Sequence, residues 1–413
     1  MLSRVVVTGL GLLTPVGNDV ASTWEALCQG KSGVAPITCY DTSQFRVHFG
    51  AEIKNFDPSM YMERKEIRRT DPYQHFSIAT VKQALAQSGL KITEENADDI
   101  GVYIGSGIGG LWTIHEQFQI FFEKGPQRVS PYFPNMMIVD GATGFVAIMT
   151  GAKGPNWASA SACATSNNAI GEAWETIRRG DAKAMIAGGS EKGLSPIAMA
   201  TFDNMHAISR RNDDPQGASR PFDATRDGFV MGEGSGMLIL EELDFARARG
   251  ATILAEIVGY GSTADAYHVT EPAPGGVGLM KAMRRALQKA GIQPEQVDYI
   301  NAHGTSTPFN DRTETQAIKA CFGDYAYRVP VSSTKSMTGH TMGASGAIEA
   351  VISIMTILTG VITPTINLRH PDPECDLDYV PNEARQASVN VVLSNSMGFG
   401  GHNACLVFKR FEE

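Results

Sequence analysis

Three observations predict an α/β fold made of two similar halves, residues 1–250 and 251–413. Short apolar runs such as Val5-Val6-Val7 and Ala184-Met185-Ile186-Ala187 alternate with stretches whose apolar residues recur at helical spacing. The strand-like runs are apolar at consecutive rather than alternate positions, the pattern of strands covered on both faces. After Phe245-Ala246-Arg247-Ala248-Arg249-Gly250 the same order of elements begins again.

In chain order, the first half reads as a strand at 5–7, a helix at 76–88, a strand at 102–104, a helix at 164–179 and strands at 184–187 and 236–241. The second half reads as strands at 253–260, 299–302 and 390–394, with helices at 277–290 and 343–358. The 164–179 helix carries its own stop signal in Arg178-Arg179-Gly180, cations in the last turn and a glycine just past it.

The chain has 413 residues, of which 43% are apolar and 19% charged, so it is globular and long enough for two cores. Cys28, Cys39, Cys163, Cys321, Cys375 and Cys405 are spread through the chain with no C-x-x-C pair, so neither a zinc knuckle nor a disulfide framework is indicated, and a reducing compartment is the expectation. Met1-Leu2-Ser3-Arg4 leads straight into Val5-Val6-Val7 without the apolar core and small-residue cleavage site of a signal peptide, and no apolar run reaches about 18 residues, so neither a signal peptide nor a spanning helix is expected. The expectation is a cytoplasmic protein off the membrane, or one in an organelle stroma or matrix had a transit peptide been removed. A net charge of −9 opposes phosphate contacts and argues against a nucleic-acid partner.

Two glycine motifs invite a dinucleotide reading. Gly9-Leu10-Gly11 fails because Thr14 stands at the third glycine. Gly105-Ser106-Gly107-Ile108-Gly109-Gly110 satisfies G-x-G-x-x-G, but Phe118-Gln119-Ile120-Phe121-Phe122 follows and no acidic residue ends a second strand at ribose distance. The second motif is read as a loop where backbone passes close to a substrate or to other backbone.

Chemistry concentrates at three turns. Cys163, in Ser161-Ala162-Cys163-Ala164-Thr165-Ser166, is placed by the pattern at a helix N-terminus. There the macrodipole and unpaired N–H groups favour a thiolate of lowered pKa. His303 follows a strand end in His303-Gly304-Thr305-Ser306-Thr307, and His340 closes Ser333-Thr334-Lys335-Ser336-Met337-Thr338-Gly339-His340. Each alone is as consistent with a structural residue, whereas two imidazoles and a helix-capping thiol together form a site.

These three stretches, with Arg220-Pro221-Phe222-Asp223, Gly232-Glu233-Gly234 and Asn395-Ser396-Met397-Gly398-Phe399-Gly400-Gly401, resemble the elongating β-ketoacyl-acyl carrier protein synthases, type II in particular, over nearly the full length. Two histidines, rather than a histidine and an asparagine, match the elongating branch. The resemblance implies a thiolase-like duplicated five-layer αβαβα sandwich with two mixed, mainly parallel sheets. The nucleophilic cysteine would lie in the N-terminal half and both histidines in the C-terminal half. It implies a decarboxylative Claisen condensation of an acyl chain, carried as a thioester on Cys163, with malonyl-acyl carrier protein to give β-ketoacyl-acyl carrier protein in fatty acid elongation. A ketosynthase of a polyketide-type pathway and a non-catalytic chain-length partner are the alternatives, and Cys163 argues against the latter. A thiolase would need a second cysteine where Phe399 stands, and a cysteine hydrolase would have no use for a second histidine.

By the same resemblance, His303 and His340 would donate to the enolate oxygen, Lys335 would support them with Glu349 as its partner, and the backbone N–H groups of Cys163 and Phe399 would form the oxyanion hole. Gly107, Ile108, Phe133, Phe202, Thr270 and Phe399 would line the acyl pocket, and Thr305 and Thr307 would bind the phosphopantetheine arm. No metal or cofactor is expected, because the substrates arrive on the arm of acyl carrier protein; that protein and a second copy of the chain are the expected partners. An acidic carrier would meet Arg64, Lys65, Arg68 and Arg69, which helical spacing places on one basic face. Asn168, Ser345, Met397 and His402 depart from residues usual in the family, namely histidine, alanine, phenylalanine and threonine.

Overall fold

The computed structural model describes residues 2–413. Ten strands build the main sheet: β1 (Val5–Leu13), β2 (Ile100–Gly105), β3 (Asn156–Trp157), β4 (Ala184–Glu191), β5 (Gly234–Glu242), β6 (Ala255–Ala264), β7 (Tyr299–Asn301), β8 (Val331–Ser332), β9 (Val391–Gly398) and β10 (His402–Lys409). Their spatial order is β3-β2-β4-β5-β1 followed by β6-β10-β9-β7-β8. In the first set only β5 runs against the others, and in the second only β10 does. Each half therefore holds a mixed sheet whose strands mainly share one direction. The two sheets join through antiparallel pairing of β1 with β6, Val5 opposite Ile257 and Val7 opposite Ala255.

Seven helices organise the layers: α1 (Pro72–Ser88), α2 (Leu111–Lys124), α3 (Gly141–Thr150), α4 (Thr165–Arg179), α5 (Val277–Ala290), α6 (Pro308–Phe322) and α7 (Ser345–Thr359). α1 and α3 cover the outer face of the first sheet, α5 packs on the second with α6 beside it, and α4 and α7 lie together between the sheets. By length and composition the segment Met342–Thr359 could cross a membrane, but 83% of it is buried, as befits a core helix.

The two glycine pairs at the join explain the close outer layers. A Cβ at Gly9 or Gly11 of β1 would lie 2.2 Å from Ala84 O or 1.9 Å from Thr80 O of α1. At Gly259 and Gly261 of β6 it would lie 2.2 Å from Ala286 O and 2.0 Å from Ala282 O of α5. The Gly9-Leu10-Gly11 motif thus serves helix packing, and Gly259-Tyr260-Gly261 repeats it in the second half.

Element ends shift from the sequence expectation for local reasons. α1 begins at Pro72, four residues early, because Asp71 caps it by accepting from Tyr73 N–H at 3.0 Å. β4 and β9 run on to Glu191 and Gly398, since small polar residues continue a ladder after the apolar run stops.

Gly11→Val should force β1 away from α1 and lower the thermal midpoint by more than about 5 °C, at the upper end of overpacking costs. Gly144→Ala in α3, where nothing lies within 4 Å of the new Cβ, should leave it unchanged or slightly raised. Differential scanning fluorimetry of both variants checks this, and equal midpoints would contradict the packing account.

Candidate active site

The turn before α4 carries the nucleophile. Ala162 has φ +50°, a left-handed conformation that costs a non-glycine residue about 1 kcal/mol, and it swings Cys163 out of line with the helix that follows. The N–H groups of Ala164 and Thr165 are taken by Ser161 O at 3.1 Å and Ala162 O at 3.2 Å. Cys163 stands one residue ahead of the helix cap at Ala164, so these N–H groups are not free for the thiol. Burial pushes the thiol up to about 12, opposed first by the Lys335 ammonium and also by the Phe399 N–H. This departs from the sequence expectation of a thiol lowered by the helix dipole, because burial in low-dielectric surroundings outweighs the influences that favour the thiolate.

What activates Cys163 instead is His340, whose Nε2 lies 3.0 Å from Sγ. Burial, reinforced by Lys335, holds His340 well below the usual imidazole value, so its ring is neutral and able to accept a proton. Its Nδ1 is 3.0 Å from Ser345 Oγ, which is itself 3.0 Å from Thr341 Oγ1. With the thiol donating to Nε2, the neutral ring carries its hydrogen on Nδ1 and donates it to Ser345 Oγ. The ring of His303 stands 5.4 Å from that of His340, nearly perpendicular at 87°. His303 is also held well below its usual value, by burial and then by Lys335 and His340. Its turn is anchored by Glu314, which accepts from the N–H groups of His303 at 2.8 Å and Gly304 at 2.7 Å.

Lys335 is 1% exposed and forms a buried ion pair with Glu349 of α7, the partner expected from the sequence. It touches neither sulfur nor imidazole by hydrogen bond, and its effect on both is that of a nearby positive charge. Phe399 follows β9, and Gly398 before it sits so close to the nucleophile turn that a Cβ would lie 3.1 Å from Cys163 N. The backbone N–H groups of Cys163 and Phe399 are therefore neighbours.

A cavity of 410 Å³ opens over these groups. Of the residues assigned to substrate, Gly107, Ile108, Phe202, Thr270, Thr305, Thr307 and Phe399 all line it beside Cys163, His303 and His340. Phe133 does not: it starts the short helix Phe133–Met137, half-buried and away from this chain's cavity. Its helix nevertheless packs on the far end of the pocket loop, where Gly110 N–H donates to Met137 O at 3.2 Å and a Cβ at Gly110 would lie 1.9 Å from Met136 O. Thr305 and Thr307 pair through their hydroxyls at 3.1 Å, and Thr307 also caps α6.

The basic face expected across 62–69 is one helical turn, Arg64–Ile67, closed at Arg68. The four-residue spacing of Lys65 and Arg69 is consequently not held within one helix. All four basic side chains are exposed, with Lys65 3.0 Å from Glu63 and Arg69 4.7 Å from the Tyr132 ring.

Several residues at the site carry no sequence signal of their own. Phe229 packs edge-on against both Phe202 and His340, with ring centroids 5.4 and 5.3 Å away. Asn168 bridges Ser161 Oγ at 2.6 Å and Tyr260 OH at 2.9 Å, tying the nucleophile turn to β6. Hydrogen bonding by Ser345 and Asn168 could be found only by noticing that polar residues depart from the family pattern there.

Comparison with known proteins agrees with this geometry. Family models described as Beta-ketoacyl synthase, N-terminal domain and C-terminal domain match residues 2–246 and 254–369. The chain is 54% identical over 409 residues to 3-oxoacyl-[acyl-carrier-protein] synthase 2 of Synechocystis, covering 99% of this chain and 98% of that one. A β-ketoacyl synthase from Burkholderia phymatum superposes with TM-score 0.93 at 38% identity, over 99% of this chain and 100% of the other. A ketosynthase structure described as a type II PKS acyl-carrier protein in complex with its ketosynthase bound to the hexaketide gives TM-score 0.92 at 34% identity, over 100% of both chains. With both halves of the chain matched by these models and a full-length relative more than half identical, this chain belongs to the β-ketoacyl synthase family.

Proposed function

We propose that this chain is an elongating β-ketoacyl-acyl carrier protein synthase that condenses an acyl group held on Cys163 with malonyl-acyl carrier protein. The observation that carries the proposal is the Cys163 Sγ to His340 Nε2 contact of 3.0 Å, with His303 across the same cavity. On attack at the acyl thioester, the thiol proton passes to His340 and the oxyanion is received by the N–H groups of Cys163 and Phe399. Collapse expels the carrier thiolate, which takes the proton from His340. The acylated sulfur no longer donates, so His340 can carry its hydrogen on Nε2 while Nδ1 accepts from the Ser345 hydroxyl, a group able to donate or accept.

Malonyl thioester then places its carbonyl oxygen between His303 and His340. Loss of CO₂ leaves an enolate whose charge the two N–H donors stabilise, each worth about 3 kcal/mol in a dry site. The enolate carbon attacks the Cys163 acyl carbonyl, the C–S bond breaks with the sulfur leaving as thiolate, and a proton from solvent replaces the one that departed with the first carrier's thiol. The substrates' own pantetheine arm, lying along Thr305 and Thr307, supplies the only prosthetic group the chemistry uses. The four exposed cations at 64–69 offer the acidic carrier a landing site within an overall charge of −9.

A homodimer completes the reading. β3 is an open edge with Asn156 and Trp157 exposed, and Ile148 of α3 is 82% exposed beside it, a combination that pairing with a second copy would cover. The place of action is the cytoplasm or an equivalent reducing compartment. The polyketide-type reading is favoured by likeness to solved ketosynthases such as the hexaketide-bound one and the ishigamide ketosynthase/chain length factor, at 34% and 33% identity against 54% for the 3-oxoacyl-[acyl-carrier-protein] synthase 2 relative.

Cys163→Ala should abolish the acyl-enzyme seen by intact mass and the β-ketoacyl product, yet still release CO₂ from malonyl-carrier protein. His303→Ala should retain acylation and lower CO₂ release by about 100-fold. Free-acid formation without condensation in the native protein would overturn the proposal. Lys65→Glu with Arg69→Glu should raise KM for carrier-bound substrates but not for short pantetheine mimics, and equal loss on both would refute the docking role. Because burial raises the thiol, alkylation of Cys163 by iodoacetamide should climb with pH through 9 without levelling; a plateau below pH 8 would show a thiolate already formed.

A further inference from the structure

The glycine motif 105–110 folds around a carboxylate of the chain itself. Glu191, fully buried at the end of β4, receives four hydrogen bonds. Its Oε1 accepts from Ser106 Oγ at 2.8 Å and Ile108 N–H at 3.3 Å. Its Oε2 accepts from Gly107 N–H at 2.7 Å and Gly343 N–H at 3.0 Å. Ser106 Oγ in turn accepts from Gly109 N–H at 2.9 Å. The donors come from two loops: Gly107 and Ile108 line the cavity, while Gly343 follows Met342, which lines it from the His340 side.

The packing leaves room for nothing else. A Cβ at Gly343 would lie 2.3 Å from Gly107 N and 2.5 Å from Glu191 Oε2, and one at Gly107 would lie 3.4 Å from Ala162 O. The pocket loop and the turn after His340 thus meet at this carboxylate, and the nucleophile turn packs against Gly107 of the pocket loop. Two of them hold a non-glycine residue in the left-handed region, Ala162 at φ +50° and Met342 at φ +51°. Such strain persists only where surrounding contacts over-determine it. Burial pushes Glu191 up to about 7 against the pull of its hydrogen bonds, a burden that a plain core position would shed by becoming apolar.

We propose that Glu191 is a positioning residue for the condensation, holding the acyl-pocket wall at Gly107–Ile108 to the Gly343 turn so that pocket shape and histidine placement are set by one carboxylate. The inference rests on the functional reading above and assigns to Glu191 a part in acyl-chain selection. In Glu191→Gln the amide nitrogen must face at least one backbone N–H. The weaker partner, Ile108 at 3.3 Å, is the one released while Gly107 and Gly343 keep the remaining oxygen. Ser106→Ala removes the hydroxyl that bonds Oε1 and with it the partner of Gly109 N–H, loosening the pocket-loop side while Gly343 keeps its bond.

The test measures Cys163 acylation by hexanoyl- and palmitoyl-carrier protein, with kcat and KM, alongside CO₂ release from malonyl-carrier protein, using the full chain. Both variants should shift the palmitoyl-to-hexanoyl ratio of kcat/KM by about fivefold, as expected for one lost hydrogen bond, and this shift should exceed any loss in CO₂ release. If Glu191→Gln does not fold, Ser106→Ala decides alone. A folded variant with the native chain-length ratio, or one losing every activity in equal proportion, overturns the role. Failure of the native protein to acylate Cys163 would instead overturn the functional reading, so the two failures are distinct.

Discussion

The site depends on how closely α4 and α7 approach in the middle layer. Gly346 at the start of α7 lies against Asn167 of α4, with a Cβ at 346 falling 2.5 Å from Asn167 Oδ1. The Ala347 N–H, an orphan of the first turn of α7, donates to Ser166 Oγ of α4 at 2.9 Å. Each helix is preceded by a short turn, one bearing Cys163 and the other His340. Locking the helix starts together fixes the sulfur and the imidazole at hydrogen-bond distance. Proton transfer is effective only within that reach, so a gap of 1 Å in the middle layer would be felt directly in the chemistry.

Burial in that layer sets the protonation states. The same low-dielectric surroundings that raise the Cys163 thiol also keep His303 and His340 neutral. A thiol paired with a neutral base is reactive on demand without a standing thiolate. Lys335 adds positive potential at both imidazoles while Glu349 balances its charge. Breaking such a buried pair typically costs about 3–5 kcal/mol, because the remaining ion is left uncompensated. Glu191 and Glu314 bear a similar burden and are stabilised by backbone N–H groups of the very turns they hold.

Much of this arrangement was legible in the chain. Cys163, His303 and His340 stand on small-residue turns beside strand or helix ends, and Lys335 with Glu349 follows from spacing around a helix start. Other features were not. The left-handed turn at Ala162, directly before Cys163, has no glycine to announce it. Glu191 stands alone at a strand end, and its donors lie 84 and 152 residues away in the chain. Phe133 was assigned by family resemblance and does not line the cavity of its own chain, although its helix packs on the Gly109–Gly110 end of the pocket loop.

The chain by itself determined the alternation of strands and helices, the repeat of the two halves and the identity of the reacting groups. Those are written in local patterns of apolarity, small residues and chemistry-bearing side chains. Only the tertiary structure decided that a thiol base-paired with His340 replaces a dipole-stabilised thiolate, and that a dinucleotide-like glycine loop cradles Glu191. Both outcomes turn on burial and on contacts between residues far apart in sequence, quantities that no local pattern encodes.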